Sequence, residues 1–133
     1  MLEWKPEYSV GVPRIDTQHR KLFEYFNELE QAMRQGKGRD VLGRVLRNLV
    51  AYTGEHFATE EDLMRRTTFP ELAQHKAAHD AFVEQALSFQ RRYEAGEVGL
   101  TVELISSLTD WVRNHVLGMD QRYGPHLKAH QAA

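Results

Sequence analysis

The stretch LAQHKAAHDAFVEQALSFQRRY, residues 72–93, is the part of the chain that indicates the fold most directly. Its apolar and histidine positions recur at alternating steps of three and four residues, which is the period of an α-helix that buries one face in a bundle. Two histidines share that face, so both are predicted to lie in the core. The stripe consists of Leu72, His75, His79, Phe82, Ala86, Phe89 and Tyr93.

A helix with the same period is predicted near the N-terminus. Asp16 or Thr17 is a suitable N-cap for it, and the glycine-containing sequence QGKG, residues 35–38, ends it. The apolar stripe of this helix consists of Leu22, Phe23, Phe26, Leu29 and Met33.

Two more helices complete the pattern. One runs from about residue 39 to residue 67, where the sequence TTFP stops it, and it carries His56 and Glu60 on its inward stripe. The other follows a turn at residues 96–99, and its stripe ends at His115. No alternating strand pattern competes with these helices. The stripe of the last helix consists of Val102, Ile105, Leu108, Trp111 or Val112, and His115.

Short turns between four helices predict an all-α fold, an up-down-up-down antiparallel four-helix bundle. The prolines and scattered aromatics before the first helix predict an extended N-terminal arm that lies across the bundle. We expect His126 and His130 to be solvated in a C-terminal tail. The whole chain, residues 1–133, is predicted to be one domain, with the arm at 1–16, the bundle at 17–120 and the tail at 121–133.

Composition excludes several classes of protein. The 17 Lys and Arg nearly balance the 19 Asp and Glu without long single-sign blocks, so we expect no nucleic-acid partner. The absence of cysteine excludes disulfides, thiolate metal sites and iron–sulfur clusters, so any metal must be bound by imidazole and carboxylate. No apolar segment is long enough for membrane insertion or for a signal peptide. A cytoplasmic location is the resulting expectation.

The histidines stand at spacings that suit metal binding. Residues four apart on a helix share a face, as His56 and Glu60 do, and as His75 and His79 do. A single histidine on an apolar stripe is more often an ordinary core residue than a ligand. Here four helices each contribute at least one, and two carboxylates join them where burial of an uncompensated charge costs several kcal/mol. The conjunction therefore predicts a shared metal site. Glu61, one position off the shared face, is expected to be a surface charge.

Asp120 follows His115 by five residues, which corresponds to a rotation of roughly 140° on a regular helix. An irregularity between residues 116 and 120 is therefore predicted, and Gly118 is the residue best able to permit it. With His19 near the N-terminus there are seven candidate ligands, more than the four that close a structural zinc site. They are His19, His56, Glu60, His75, His79, His115 and Asp120.

With these residues in place, the chain resembles the hemerythrin family, and more closely its single-domain bacterial members, over essentially its full length. Each matching segment alone is moderately specific for this family, and all of them in this order are highly specific. The matching segments are VGVPRIDTQH at 10–19, HFATEEDLM at 56–64, HKAAHDAF at 75–82, WVRNHVLGMD at 111–120 and RYGPHL at 122–127, preceded by Trp4.

The resemblance implies two iron ions joined by an oxo or hydroxo bridge, with an open position where dioxygen binds reversibly. One iron would be bound by His75, His79 and His115, the other by His19 and His56, and both by Glu60 and Asp120. Imidazole and carboxylate also suit zinc, copper and manganese, so the identity of the metal depends on the family. The resemblance further implies an apolar dioxygen pocket formed by Leu22, Phe57, Trp111, Val112, Val116 and Leu117.

The leading hypothesis is an oxygen carrier or store, not an enzyme, that acts as a monomer. Sensing is an alternative, and it would require a separate signalling partner, since the resemblance covers the whole chain. Reduction of peroxide or nitric oxide at a di-iron centre is a second alternative, and an oxygen-consuming enzyme is a candidate partner of a carrier. A histidine phosphotransfer bundle fits poorly, because it needs one exposed histidine.

Overall fold

The computed structural model describes residues 2–97, 99 and 102–130, and for residues 102–104 the backbone alone. It confirms the four-helix bundle, and the described residues contain no strand. Four long helices are preceded by one turn of 3-10 helix and followed by a shorter α-helix. The elements are the 3-10 turn Pro6–Tyr8, α1 Pro13–Arg34, α2 Arg39–Arg66, α3 Leu72–Glu94, α4 Val102–Leu117 and α5 Met119–Ala129.

The ends of the helices follow local chemistry. Pro13 begins α1 at the position where a missing N–H costs nothing. α1 and α3 end before Gly36 and Gly96, which take left-handed φ angles of 66° and 80°. Beyond each glycine the next backbone N–H bonds back into the last turn, as Lys37 N does to Ala32 O at 3.0 Å. The cap at Gly36 keeps the connection between α1 and α2 short.

The core lies between the inward stripes of the four long helices. α1 packs against α2 and α4, and α2 packs against α3. α3 and α4 meet through the stacked rings of Phe82 and Trp111, whose centroids are 4.1 Å apart. Burying one large apolar side chain of this kind stabilises the fold by roughly 1.5–3 kcal/mol. Residues at the centre of this core include Leu22, Phe26, Leu29, Leu46 and Val112.

The start of α1 differs from the prediction. The helix begins at Pro13, so Asp16 lies in its first turn and is not the N-cap. The Asp16 carboxylate instead accepts hydrogen bonds from Val10 N at 2.8 Å and from Ser9 Oγ at 2.5 Å. The arm is thereby tied to the helix that follows it.

The predicted C-terminal tail is wrong over residues 121–129, which belong to α5. Tyr123 and Leu127 are fully buried and pack with Val12 and Met64. Residues 131–133 of the tail, like Val98 of the predicted turn and the side chain of Val102, lie outside the described residues.

His126 and His130 differ in exposure. His126 is half-buried and donates from Nε2 to Thr67 O at 2.8 Å, so the expectation of a solvated side chain is wrong for it. His130 is exposed, as expected.

None of the helices in the described part of the chain combines the length and the apolar composition needed to cross a bilayer.

Candidate metal centre

The seven predicted ligands converge at one end of the bundle in two groups. Within each group the potential ligand atoms lie within 4.8 Å of one another. All seven side chains are buried, and the most exposed, His115, shows only 7% of its surface to solvent. One group is His75, His79, His115 and Asp120, and the other is His19, His56 and Glu60.

In the larger group three imidazoles surround a small volume. His75 Nε2 and His115 Nε2 lie 2.8 Å and 3.0 Å from the same oxygen, Asp120 Oδ1. His79 Nε2 lies 3.0 Å from His115 Nε2. Neighbouring ligands on a metal ion are about 3 Å apart when each bond is roughly 2.1 Å long. The spacing in this group therefore suits one bound ion.

The two carboxylates connect the groups. The second oxygen of Asp120, Oδ2, lies 3.1 Å from His19 Nε2 in the smaller group. Glu60 Oε1 lies 2.9 Å from His56 Nε2 and 3.6 Å from His79 Nε2. Each carboxylate thus faces imidazoles of both groups, which is the position a bridging ligand would take.

The hydrogen bonding of the buried polar atoms in this cluster indicates whether metal ions would fit among them. Among the described residues, five buried atoms of this cluster form no hydrogen bond of acceptable geometry: His19 Nδ1 and Nε2, His56 Nε2, Glu60 Oε1 and Asp120 Oδ2. Four of them approach an oppositely charged or polar partner closely, yet not along a hydrogen-bond direction. Buried polar atoms are rarely left in this state, so a cation placed among them would supply the missing interactions. The residues fit a pair of metal ions.

Two residues outside the predicted ligand set, called here the outer partners, accept hydrogen bonds from the Nδ1 atoms of ligand imidazoles and so orient the rings. His56 Nδ1 donates to Gln18 Oε1 at 2.7 Å, and His79 Nδ1 donates to Glu61 Oε2 at 2.9 Å. With Nδ1 protonated, each ring turns the lone pair of Nε2 toward the centre. The expectation that Glu61 is only a surface charge is therefore wrong. The sequence offered no signal for either partner beyond adjacency to a ligand, Gln18 to His19 and Glu61 to Glu60.

Tyr123 is a further residue that the sequence did not reveal. Its buried hydroxyl donates to Glu60 Oε2, and its ring packs beside His75 at a centroid distance of 5.3 Å. Both burial and the adjacent Glu60 raise the pKa of Tyr123 well above its ordinary value, so the phenol stays protonated. It holds one oxygen of Glu60 in place.

Aromatic rings fix the planes of two imidazoles. Phe57 stacks on His79 with the centroids 3.7 Å apart and the planes 1° from parallel. Trp111 stacks on His115 at 4.6 Å and 11°. These rings stabilise the imidazole orientations that the outer hydrogen bonds select.

The electrostatics of the centre favour positive charge. Burial alone would raise the pKa of Asp120, but contacts with His115, His19 and His75 outweigh it and hold that pKa well below its ordinary range. For His19 burial acts to lower the pKa, yet the adjacent carboxylates of Asp120 and Glu60 raise it to about 10. Two buried carboxylates thus attract a cation, which is a proton on His19 when no metal competes.

His79 behaves differently from His19. Burial lowers the pKa of His79 to about 3, although Glu60 acts in the opposite direction. Its imidazole is therefore neutral at physiological pH, which is the form that binds metals.

The predicted irregularity before Asp120 is confirmed. The chain leaves α4 after Leu117, and Gly118 takes φ −101° and ψ −84° before α5 begins at Met119. Asp120 is 1% exposed as a result.

The residues predicted to form the dioxygen pocket do not share one environment. Four of them, Leu22, Phe57, Val112 and Val116, are buried in the main core. Trp111 is half-buried, and Leu117 is 38% exposed at the end of α4. Leu117 can therefore cover the site only from outside.

Fold and site together define a four-helix-bundle protein with a buried cluster of histidines and carboxylates that could hold metal ions. Residues 10–127 match the family model described as the hemerythrin HHE cation binding domain. The chain is 37% identical over 130 residues to the bacteriohemerythrin of Stenotrophomonas maltophilia, covering 98% of this chain and 84% of that protein. It is 32% identical to the bacteriohemerythrin of Methylococcus capsulatus, covering 92% and 93%.

Solved structures agree with the sequence matches. The crystal structure of wild-type hemerythrin superposes with a TM-score of 0.92 at 30% identity, covering 100% of this chain and 99% of that one. The crystal structure of a mutant hemerythrin gives the same TM-score, covering 98% of that chain. The chain belongs to the hemerythrin family.

Proposed function

We propose that this protein binds dioxygen reversibly at a di-iron centre and thereby carries, stores or delivers oxygen. The observation that supports this best is the asymmetry of the two ligand groups. Three imidazoles serve one position and two serve the other, while Glu60 and Asp120 face both. With fewer imidazoles, an ion at the second position would keep a coordination site for an exogenous ligand.

The proposed ligands divide between the two irons as the groups do. His75, His79 and His115 would bind one iron, His19 and His56 the other, and Glu60 and Asp120 both. When bound, a di-iron pair supplies the two electrons with which dioxygen is held. Imidazole and carboxylate are suitable ligands for iron but do not select it over zinc or manganese. The choice of iron is supported by the family to which the chain belongs.

The residues around the centre would keep the site dry. Phe57, Val112 and Val116 are at most 3% exposed and belong to the core that adjoins the histidines. An apolar wall excludes water and anions that would compete for the open position. Tyr123 would keep Glu60 in its bridging position, since a neutral phenol donates to that carboxylate without adding charge.

An optical titration tests this proposal. The protein is loaded with ferrous iron without oxygen, and its spectrum is recorded as oxygen is admitted and then removed. We expect an absorption band that appears with oxygen and disappears under vacuum over repeated cycles. Irreversible oxidation at the first exposure would contradict reversible binding.

Turnover assays separate carriage from catalysis. With an electron donor present, we expect no sustained consumption of hydrogen peroxide or nitric oxide beyond one equivalent per centre. Many turnovers would replace the carrier proposal with an enzymatic one.

A further inference from the structure

The two outer partners of the centre differ in charge. Glu61 presents a carboxylate to His79, which belongs to the three-imidazole group, whereas Gln18 presents a neutral amide to His56 in the two-imidazole group. The other imidazole of the smaller group, His19, has no hydrogen-bond partner for Nδ1 among the described residues. The carboxylate partner is therefore on the side of the centre that already has more imidazoles.

This difference has a chemical consequence. A carboxylate that accepts the Nδ1 proton makes the imidazole more basic and a stronger metal ligand than an amide acceptor does. Replacing such a partner typically weakens metal binding about 10–100-fold. His79 should therefore donate to its ion more strongly than His56 does.

The surroundings of Glu61 favour a positioning role. Its second oxygen, Oε1, lies 3.8 Å from Lys76 Nζ, and Phe57 stacks on the face of the His79 ring. Glu61 borders a surface cavity of about 380 Å³ between α2 and α3, which also reaches His79 and Glu84. The Glu61 side chain is 18% exposed, so an amide of the same shape fits there without disturbing the core.

We propose that Glu61 is a positioning residue that makes the two metal positions unequal, retaining the ion bound by His75, His79 and His115 while the other ion leaves more readily. This inference rests on the proposed di-iron centre. Glu61 would then account for the tighter binding of the ion at the three-imidazole position. The ion at the position with the open site would be bound more weakly.

The test measures iron release, not oxygen binding. Ferrous protein is mixed with excess chelator without oxygen, and the release of each iron is followed by absorbance for the wild type and for Glu61→Gln. The wild type should release its irons in a fast and a slow phase. Glu61→Gln should speed the slow phase about 10–100-fold and leave the fast phase unchanged.

Two further variants control the experiment. Glu84→Gln removes an exposed carboxylate of the same cavity, and it should release iron as the wild type does. Gln18→Glu supplies the missing carboxylate to His56, and it should slow the fast phase alone. A general destabilisation of the fold would speed iron release, so it could not explain a slower fast phase in Gln18→Glu.

Three outcomes would overturn the inference. Release of two irons from the wild type in one phase would do so, as would a Glu61→Gln protein that behaves as the wild type. Equal acceleration of both phases would show a structural role only. All three leave the proposed function standing, whereas a wild type that binds no iron would overturn both.

Discussion

Asp120 Oδ1 lies 3.0 Å from His115 Nε2, although the two residues would point about 140° apart on an uninterrupted helix. The break at Gly118 removes this difference by ending α4 and starting α5 in a new direction. A Cβ at position 118 would lie 3.0 Å from Asn114 O, closer than side chains normally approach. The placement of the Asp120 carboxylate among these imidazoles therefore depends on the interruption of the helix at Gly118.

Removing the Asp120 carboxylate should reduce the metal content. In Asp120→Asn an amide replaces a carboxylate that contacts His75, His115 and His19 together. We expect bound iron to fall from two per chain to one or fewer, measured by elemental analysis after desalting. Asp110→Asn on α4, whose carboxylate is 57% exposed, is the matched control and should retain both ions. Full occupancy in Asp120→Asn would show that this carboxylate is not a ligand.

The packing of the arm on α5 gives a stability prediction. A Cβ on Gly124 would lie 2.4 Å from Val10 O, so Gly124→Ala must displace the arm or α5. We expect a loss of about 1–3 kcal/mol in the free energy of unfolding, measured with urea. A Cβ on Gly54 in α2 would meet no atom within 4 Å beyond its own helical turn, so Gly54→Ala should instead stabilise the protein by roughly 0.5–1 kcal/mol. Equal effects of the two substitutions would contradict the close contact.

Thr68 carries backbone strain that a glycine would relieve. Its φ of 59° places a β-branched residue in the left-handed region, just beyond the end of α2. Thr68→Gly should raise the free energy of unfolding by about 0.5–1 kcal/mol, since relief of the strain exceeds the added entropy of the unfolded chain. Thr59→Gly in the interior of α2 should lower it. A destabilised Thr68→Gly protein, compared by thermal unfolding at equal metal content, would count against this explanation.

The stacked indole of Trp111 should protect the oxygen-bound state. It covers both His115 and Phe82, so Trp111→Ala opens the apolar wall to water. We expect the oxygen-dependent absorption to decay roughly tenfold faster than in the wild type. Leu117→Ala should accelerate the decay less, because Leu117 is already 38% exposed. Stopped-flow traces that are identical for Trp111→Ala and the wild type would exclude the protective role.

Much of the fold could be predicted from the spacing of apolar residues and histidines. The stripe from Leu72 to Tyr93 predicted α3 to within one residue at each end, and the TTFP turn predicted the end of α2. The helix α5 was missed because Gly124 and Pro125 normally interrupt helices. Gly124 has no side chain and so allows the arm to approach α5 closely at Val10. A contact between segments so far apart in the chain leaves no periodic pattern in the sequence.

The candidate site could likewise be predicted only in part from the sequence. Residues such as His75 and His79 stand on one helical face, so their convergence could be predicted from period alone. Gln18, Glu61 and Tyr123 lie off those faces, and they reach the centre only through the angles at which neighbouring helices pack. Asp16 illustrates the same limit, because its role in tying Val10 depends on the path of the arm.

Anomalous diffraction at the iron absorption edge tests the central claim most directly. Crystals of protein loaded with ferrous iron should show two adjacent peaks per chain. One should contact His75, His79 and His115, and the other His19 and His56, with Glu60 and Asp120 touching both. A single peak, or peaks away from these side chains, would contradict the account.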